Sequence, residues 1–330
     1  MFEWQLNHLV DLDNFTKIIR HLPANESTFH VYGSFGDVYL QLSNLKELFE
    51  QKGEAFHILI DEKYNILANQ ALESNIGKLY SNSNSIANIF NKIGLVGTTG
   101  NLPIRLLPGV YPGCSELILS NRLYYSDFLR GIVGNNKKGF FSKIEDFENL
   151  NKQAENLILE AGCKPYKSIL LSLDNNTQKE FSSKFWMENV EFINNLGYSI
   201  LLNDSGTLNT RSANLLSNTS LPRVKVPPNL AVTLPTVAGG YMGGSNGFST
   251  IQALFNDTAP GIYFINAIES ERNKVVDKFG NEFDESALYH SIAFKEEFRK
   301  TQIEVLVSKN TKRKLINEII FEYIKIISNR

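Results

Sequence analysis

The fold of this chain is decided by the stretch His30-Val31-Tyr32-Gly33-Ser34-Phe35-Gly36-Asp37-Val38-Tyr39-Leu40. Residues 28–32 form an apolar run that predicts a short strand, and two glycines follow it three residues apart. Large apolar side chains then recur with helical spacing at Leu40, Leu42, Leu45, Leu48 and Phe49. A strand, a glycine turn and a helix let the backbone approach a ligand closely at the positive end of the helix dipole.

Asp37 follows the second glycine, at the start of the predicted helix. Its carboxylate has two interpretations. It caps the helix, because acids are common in a first helical turn for purely structural reasons. Alternatively, it points into a cleft and acts as a base. This stretch by itself leaves both interpretations open.

Length and composition favour a two-domain protein without a nucleic-acid partner. The chain has 330 residues, of which 42% are hydrophobic and 21% charged, and a formal net charge of -2. Cys114 and Cys163 lie far apart without metal-ligand spacing, so neither a disulfide framework nor a zinc site is predicted. The first residues lack a signal-peptide pattern, and no run approaches the ~18 apolar residues of a membrane span. We expect a cytoplasmic protein.

Strand-like and helix-like segments alternate along the chain, as a parallel α/β sheet requires. A loop rich in Gly and Pro, residues 100–113, interrupts the first set, and a polar stretch at 135–167 marks a domain boundary. We predict two doubly wound, Rossmann-like domains, 1–150 and 151–330, with an amphipathic helix at 313–327 closing the second. In such folds ligands bind at the carboxyl ends of the strands, so the site is expected in the cleft between the domains.

Two pieces of the second half favour phosphate binding. Lys184 lies in a predicted strand-to-helix loop, where its charge can hold a phosphate beside a helix amino terminus; a solvated lysine is the alternative. Residues 239–250 contain five glycines within nine residues, followed by small hydroxyl side chains. This run fits a diphosphate cradle of backbone N–H groups and hydroxyls, with a flexible turn as the alternative.

Together these pieces resemble the bacterial heptosyltransferases, the ADP-heptose-using glycosyltransferases of family 9. Residues 33–38 resemble the Gly-Asp motif of that family, and Lys184-Phe185-Trp186 resembles its Lys-x-Trp motif. The resemblance implies the GT-B fold, with a first domain that binds the acceptor and a second that binds the nucleotide sugar. It also implies that Asp37 is the general base and that Lys184 contacts the donor phosphate.

On the donor side, the resemblance makes Gly247 and Ser249 part of the phosphate turn, with Asn246 in the same segment. Ser245 stands where the family has Asp, and Thr250 where it has His. Both replacements remove groups expected near the donor, which predicts that ADP-heptose is a poor donor or none. Independently of the resemblance, Glu269 follows a predicted strand, where an acid can hold a ribose hydroxyl.

On the acceptor side, the candidates are the residues of the glycine turn and three side chains farther along the first domain. They are Gly33, Ser34, Gly36, Arg122, Tyr125 and Arg130. The two arginines and the tyrosine are candidates to face an acidic acceptor.

These observations predict a metal-independent glycosyltransferase that moves a sugar from a nucleotide-activated donor to a hydroxyl of a bacterial surface glycan such as lipopolysaccharide, capsule or a glycoconjugate. No cofactor or metal is expected: the only literal Asp-x-Asp match, Asp11-Leu12-Asp13, is interpreted as a helix start. The predicted partners are the donor and a glycan or glycolipid acceptor, with a peripheral position at the inner membrane as an option. Two alternatives are a non-hydrolysing nucleotide-sugar epimerase and a non-catalytic bilobed nucleotide- or sugar-binding protein.

Overall fold

The computed structural model describes residues 27–33, 35–53, 56–72, 76–81, 104–105, 146–173, 181–204, 216, 219–244, 252, 259–266, 274–276, 282–284 and 301–329. The chain divides into two compact units, Met1–Phe141 and Ser142–Arg330. A helix, Phe147–Glu160, spans the predicted boundary at residue 150 and belongs wholly to the second unit. Among the described helices, none combines the length and the apolar character that a membrane crossing requires.

The first unit contains a parallel sheet with helices between its strands. In chain order its described elements are β1 (Ser27–Val31), α1 (Phe35–Lys52), β2 (Phe56–Asp61), a 3-10 helix (Glu62–Tyr64), α2 (Asn65–Ala71), β3 (Gly77–Ser81) and β4 (Ile104–Arg105). The strand order is β3-β2-β1-β4, and every pairing is parallel. The order therefore reverses between β1 and β4, and ligands of such sheets bind at the carboxyl ends beside this reversal.

The second unit contains a larger sheet of the same kind. Its elements are α3 (Phe147–Glu160), β5 (Ser168–Ser172), α4 (Ser183–Asn195), β6 (Ser199–Asn203), β7 (Arg223–Val224), a 3-10 helix (Pro228–Leu230), α5 (Thr233–Ala238), β8 (Gly239–Gly244), β9 (Gly261–Asn266), β10 (Lys274–Val276), β11 (Glu282–Asp284), β12 (Gln302–Val307) and α6 (Arg313–Ser328). Six strands pair in the parallel order β12-β9-β8-β5-β6-β7, while β10 and β11 form a separate antiparallel pair. The reversal lies between β5 and β8.

Helices cover both faces of the second sheet. Alternate residues of β5 show this: Ile169 and Leu171 pack in the cluster that contains α4 and α6, while Leu170 packs in the cluster that contains α3 and α5. A parallel strand that is buried on both faces needs a continuous apolar run, which is why the sequence Ser168–Ser172 is apolar at every interior position.

Three segments differ from the sequence-based expectation. The predicted loop 100–113 contains β4, which pairs with β1. The predicted glycine turn at 239–244 is instead the buried strand β8. Strand β12, which the sequence reading did not include, pairs with β9 along its full length. At β4 and β8, pairing with a strand distant in sequence overrides the local loop signal, whereas the sequence of β12, Gln302–Val307, is itself typical of a strand.

Candidate functional site

The turn between β1 and α1 brings a glycine with a positive φ close to a carboxylate. Gly33 has a φ of +126°, a conformation that residues with a Cβ rarely adopt. A Cβ placed on Gly33 would lie 2.9 Å from both Cβ and Oδ2 of Asp37. Asp37 itself is half-buried in the first turn of α1, and Gly36 is buried beside it. The backbone therefore approaches this carboxylate as closely as only glycine allows.

Two buried polar side chains form hydrogen bonds with the backbone of the same turn. The Gln41 amide donates from Nε2 to the Tyr32 carbonyl oxygen at 2.8 Å and accepts from the Tyr32 N–H at 3.1 Å. The Tyr64 hydroxyl donates to the Gly33 carbonyl oxygen at 3.1 Å. Consecutive residues of the turn are thus fixed by side chains from α1 and from the 3-10 helix after β2.

Tyr64 lies near two carboxylates, those of Asp61 and Asp37. Burial raises the pKa of its hydroxyl, and the nearby charges of Asp61 and Asp37 raise that pKa further. Asp61 caps the 3-10 helix by accepting from the Lys63 N–H at 3.1 Å, and it pairs with the Lys63 ammonium at 3.4 Å. Tyr64 is therefore a neutral hydrogen-bond donor at any physiological pH.

In the second unit, Lys184 lies in the first turn of α4 and not in the loop before it. Ser182 caps this helix by accepting from the Phe185 N–H at 3.2 Å, so α4 begins earlier than the apolar pattern predicts. The Lys184 side chain is 84% exposed, and its ammonium lies 3.9 Å from the Glu188 carboxylate. A pair this exposed and this long is weak, so the ammonium is available to a ligand.

The tryptophan of the Lys-x-Trp segment anchors α4 to the sheet. Trp186 is buried and makes edge-to-face contacts with Phe181, Phe185 and Phe264, with ring centroids 5.3–5.9 Å apart. Phe264 belongs to β9, near its carboxyl end. The aromatic cluster therefore fixes the amino end of α4, and with it Lys184, beside the carboxyl end of the sheet.

Two of the five glycines in the predicted phosphate cradle, Gly240 and Gly243, pack directly against core atoms. A Cβ on Gly240 would overlap the Tyr323 hydroxyl of α6, and a Cβ on Gly243 would lie 2.5 Å from the Ser172 carbonyl oxygen of the paired strand. The missing side chain of Gly240 leaves room for the Tyr323 side chain of α6, and that of Gly243 leaves room for the backbone of Ser172. The cradle interpretation is thus wrong for Gly240 and Gly243, because the space beside these two strand residues is already filled.

Most of the other predicted site residues lie outside the part of the chain that the structure describes. They are Ser34, Arg122, Tyr125, Arg130, Ser245, Asn246, Gly247, Ser249, Thr250 and Glu269. The chain position of one group is nevertheless informative, because residues 245–250 directly follow the carboxyl end of β8.

Both sets of candidates follow strands that flank a reversal of strand order. Asp37 follows β1 in the first sheet, Lys184 follows β5 in the second, and residues 245–250 follow β8. The carboxyl ends of strands at such reversals are where open α/β sheets bind ligands. Each sheet therefore presents its candidate residues at the position that its topology favours for binding.

No protein-family model matches this chain, and no curated protein matches its sequence. Solved structures do match it. A glycosyltransferase of family 9 from Veillonella parvula has a TM-score of 0.58 at 11% identity, over 94% of this chain and 99% of its own. The E. coli heptosyltransferase WaaC with ADP has a TM-score of 0.51 at 12% identity, over 92% of this chain and 99% of its own. The chain has the GT-B fold of these glycosyltransferases. The predicted fold class is confirmed.

A third structure with this fold raises the question of a metal. TibC from enterotoxigenic E. coli is described as a dodecameric iron-containing heptosyltransferase in complex with ADP-D-beta-D-heptose; its TM-score is 0.51 at 10% identity, over 93% of this chain and 78% of its own. In the described ranges of the present chain, no three His, Cys, Asp or Glu side chains are grouped to hold a metal ion. The described residues do not fit an iron site.

Sequence reasoning missed the polar residues that shape the first site. Gln41 is completely buried one helical turn after Asp37, and Asp61 ends a strand adjacent to β1. The available signal was a cluster of three polar residues, Gln41, Ser43 and Asn44, in a helix segment whose neighbours are apolar. Buried polar side chains require hydrogen-bond partners, so such a cluster indicates a constraint beyond packing.

Proposed function

We propose that this chain is a glycosyltransferase that moves a sugar from a nucleotide-activated donor to a hydroxyl of a bacterial surface glycan. The observation that carries the proposal is that side chains suited to the chemistry of glycosyl transfer follow the strands at which each sheet reverses its strand order. A carboxylate that fits a base and a lysine that fits a phosphate ligand each follow a strand at the reversal point of its own sheet. The GT-B fold, which glycosyltransferases of family 9 share, supports the same reaction class.

Asp37 is the general base of the proposed reaction. Its ionised carboxylate accepts the proton of the acceptor hydroxyl while the hydroxyl oxygen forms a bond to the anomeric carbon of the donor sugar. The close approach of the Gly33 backbone to Oδ2 restricts the orientation of the carboxylate. The first unit accordingly binds the acceptor.

Lys184 stabilises the leaving group. As the bond from the anomeric carbon to the phosphate oxygen breaks, its electron pair passes to the nucleoside diphosphate, and negative charge develops there. The ammonium and the free N–H groups at the amino end of α4 offset that charge without reorganisation. Ser245, Asn246, Gly247, Ser249 and Thr250 complete the phosphate turn after β8, and Glu269 binds the ribose. The reaction needs no metal in this proposal.

The partners are a nucleotide sugar and a glycan or glycolipid acceptor, and the enzyme works in the cytoplasm or at the inner face of the cell membrane. WaaC is described with ADP and TibC with ADP-D-beta-D-heptose, which supports a nucleoside-diphosphate sugar as the donor. Ser245 and Thr250 stand where the heptosyltransferases have an acid and a histidine, so we expect ADP-heptose itself to be a poor donor.

A thermal-shift panel followed by a transfer assay tests the proposal. ADP, UDP, GDP and CMP are screened first, and the sugar donor of the stabilising nucleotide is then supplied with glycan acceptors in EDTA. We expect one nucleotide to raise the unfolding temperature and transfer to proceed without divalent metal. No stabilisation by any nucleotide would favour a non-catalytic protein, and epimerisation of the donor without transfer would favour the epimerase.

Asp37→Asn then tests the assigned base. The variant should lose about 10²–10⁴-fold in kcat, as expected for removal of a general base, and keep its nucleotide affinity within a few-fold. Glu50→Gln is the matched control, because Glu50 is exposed near the opposite end of the same helix. Normal turnover by Asp37→Asn would reduce Asp37 to a helix-capping role.

A further inference from the structure

Gln41 and Tyr64 converge on two consecutive residues, Tyr32 and Gly33, directly after the carboxyl end of β1. Gln41 brackets Tyr32 with two hydrogen bonds, at 2.8 and 3.1 Å, and Tyr64 holds the next carbonyl group at 3.1 Å. The backbone conformation at this point is unfavourable for most residues, because Gly33 has a φ of +126°. Three hydrogen bonds thus fix the backbone on both sides of a peptide bond whose second residue has a conformation that favours glycine.

The turn is in direct contact with the proposed base. The position that a Cβ on Gly33 would occupy lies 2.9 Å from Oδ2 of Asp37, so the Gly33 backbone forms one wall for the carboxylate. Gln41 lies four residues after Asp37 on α1, hence on the same face of that helix. The amide therefore locks the end of β1 to the same helix face that carries the carboxylate.

We propose that Gln41 and Tyr64 are positioning residues for Asp37: by fixing the Tyr32–Gly33 backbone they hold the carboxylate in the orientation that receives the acceptor proton. The inference rests on the proposed function. It explains why a polar amide occupies a position that is completely buried between Leu40 and Leu42, where an apolar side chain would fill the same space. Displacing a reacting group by about 1 Å can cost ~10²-fold in rate.

The test compares Tyr64→Phe and Gln41→Met with Tyr39→Phe in the full-length protein. Each of the first two variants keeps most of the side-chain volume and removes the hydrogen bonds to the turn. Tyr39→Phe is the control, because Tyr39 is a buried tyrosine of α1 whose ring contacts Phe35 and whose hydroxyl pKa is likewise raised by burial. We measure the unfolding temperature, and kcat and KM per folded molecule.

We expect kcat to fall about tenfold in Tyr64→Phe and up to about 10²-fold in Gln41→Met, with the donor KM unchanged, while Tyr39→Phe keeps the parent kcat. A purely structural role would lower the unfolding temperature without changing kcat per folded molecule, and that result would overturn the inference. A rise in KM with the parent kcat would also overturn it. If Gln41→Met does not fold, Tyr64→Phe decides alone.

The Asp37→Asn measurement separates this inference from the proposed function. If Asp37→Asn is inactive while Tyr64→Phe and Gln41→Met retain the parent kcat, only the positioning roles are refuted. If Asp37→Asn transfers sugar normally, the base assignment fails first, and the positioning roles fail with it.

Discussion

Gly240→Ala should destabilise the second unit, whereas a phosphate-binding glycine would tolerate the change in the unliganded fold. In β8 the added methyl would overlap the Tyr323 hydroxyl and lie 2.6 Å from Cδ1 of Ile327. Neither separation is tolerated between real side chains, so the tyrosine has to move. Its hydroxyl donates to the carbonyl oxygens of Tyr241 at 2.8 Å and Pro260 at 3.2 Å, and the movement breaks both contacts.

The magnitude follows from these two effects. Overpacking a dense core costs about 1–3 kcal/mol, and leaving the buried Tyr323 hydroxyl without its acceptors costs about 1–3 kcal/mol more. We therefore expect Gly240→Ala to lower the free energy of unfolding by about 3 kcal/mol. A glycine in an unconstrained strand would show the opposite sign, a gain of about 0.4–1 kcal/mol, because alanine reduces the entropy of the unfolded chain.

A double-mutant cycle with Tyr323→Phe assigns the effect to this contact. Phenylalanine lacks the oxygen that the methyl overlaps, so Gly240→Ala should cost about half as much in that background. Tyr198→Phe is the control: its hydroxyl also contacts α6, at Ser328 with an O···O distance of 3.0 Å, whereas the atoms nearest the methyl added at Gly240 belong to Tyr323 and Ile327. Its effect should add to that of Gly240→Ala within ~0.5 kcal/mol.

Urea unfolding followed by fluorescence provides the measurement. The chain has two tryptophans, and in a Trp4→Phe background the buried Trp186 reports on the second unit alone. A Gly240→Ala protein that is as stable as its parent, or more stable, would refute the packing argument. If the effects of Gly240→Ala and Tyr323→Phe on the free energy of unfolding were additive, the destabilisation by Gly240→Ala would not arise from its contact with the Tyr323 hydroxyl.

Three further predictions test the two sites and the core. Lys184→Ala should weaken nucleoside-diphosphate binding by about 1.5–3 kcal/mol in titration calorimetry. Lys314→Ala is the control and should leave the affinity unchanged, because it removes an equally exposed first-turn lysine that also has an i,i+4 glutamate partner. Equal affinities of the two variants would show that Lys184 is not part of the donor site. Gly33→Ala should abolish transfer, because the added methyl would collide with the side chain of Asp37, the proposed base. Gly53→Ala is the control: Gly53 also has a positive φ but open space around it, so this variant should lose only stability. A Gly33→Ala protein that remains active would contradict the close approach of Gly33 to Asp37. Burial raises the pKa of the Cys163 thiol, so the folded state holds this proton more tightly than the unfolded state does. The stability that this pKa difference provides is present below about pH 8.5 and is lost as pH rises through the folded-state pKa. Between about pH 8 and 10, the free energy of unfolding should therefore fall less in Cys163→Ala than in the parent protein. An equal fall in the two proteins would refute this explanation.

The sequence by itself determined the elements whose signals are local. Strand β1, the turn at Gly33 and helix α1 follow from an apolar run, a glycine and helical spacing, all within about 25 residues. The same holds for β5 and for α6, which was predicted as an amphipathic helix over 313–327, although Leu315 of the predicted apolar face is 49% exposed. The alternation of such segments predicts two parallel sheets, and the resemblance of the motifs to those of family 9 implies the GT-B fold.

Tertiary structure alone decided what the glycines of β8 do and what surrounds Asp37. The side chain that fills the space above Gly240 comes from Tyr323, more than 80 residues later, so no local pattern distinguishes this strand from a phosphate loop. The partners of the Asp37 turn come from α1 and from the segment after β2, which meet only once β1 and β2 pair. Local propensity fixes which residues form a strand or a helix, but the volume beside a residue and the hydrogen bonds it makes depend on chain segments that only folding brings together.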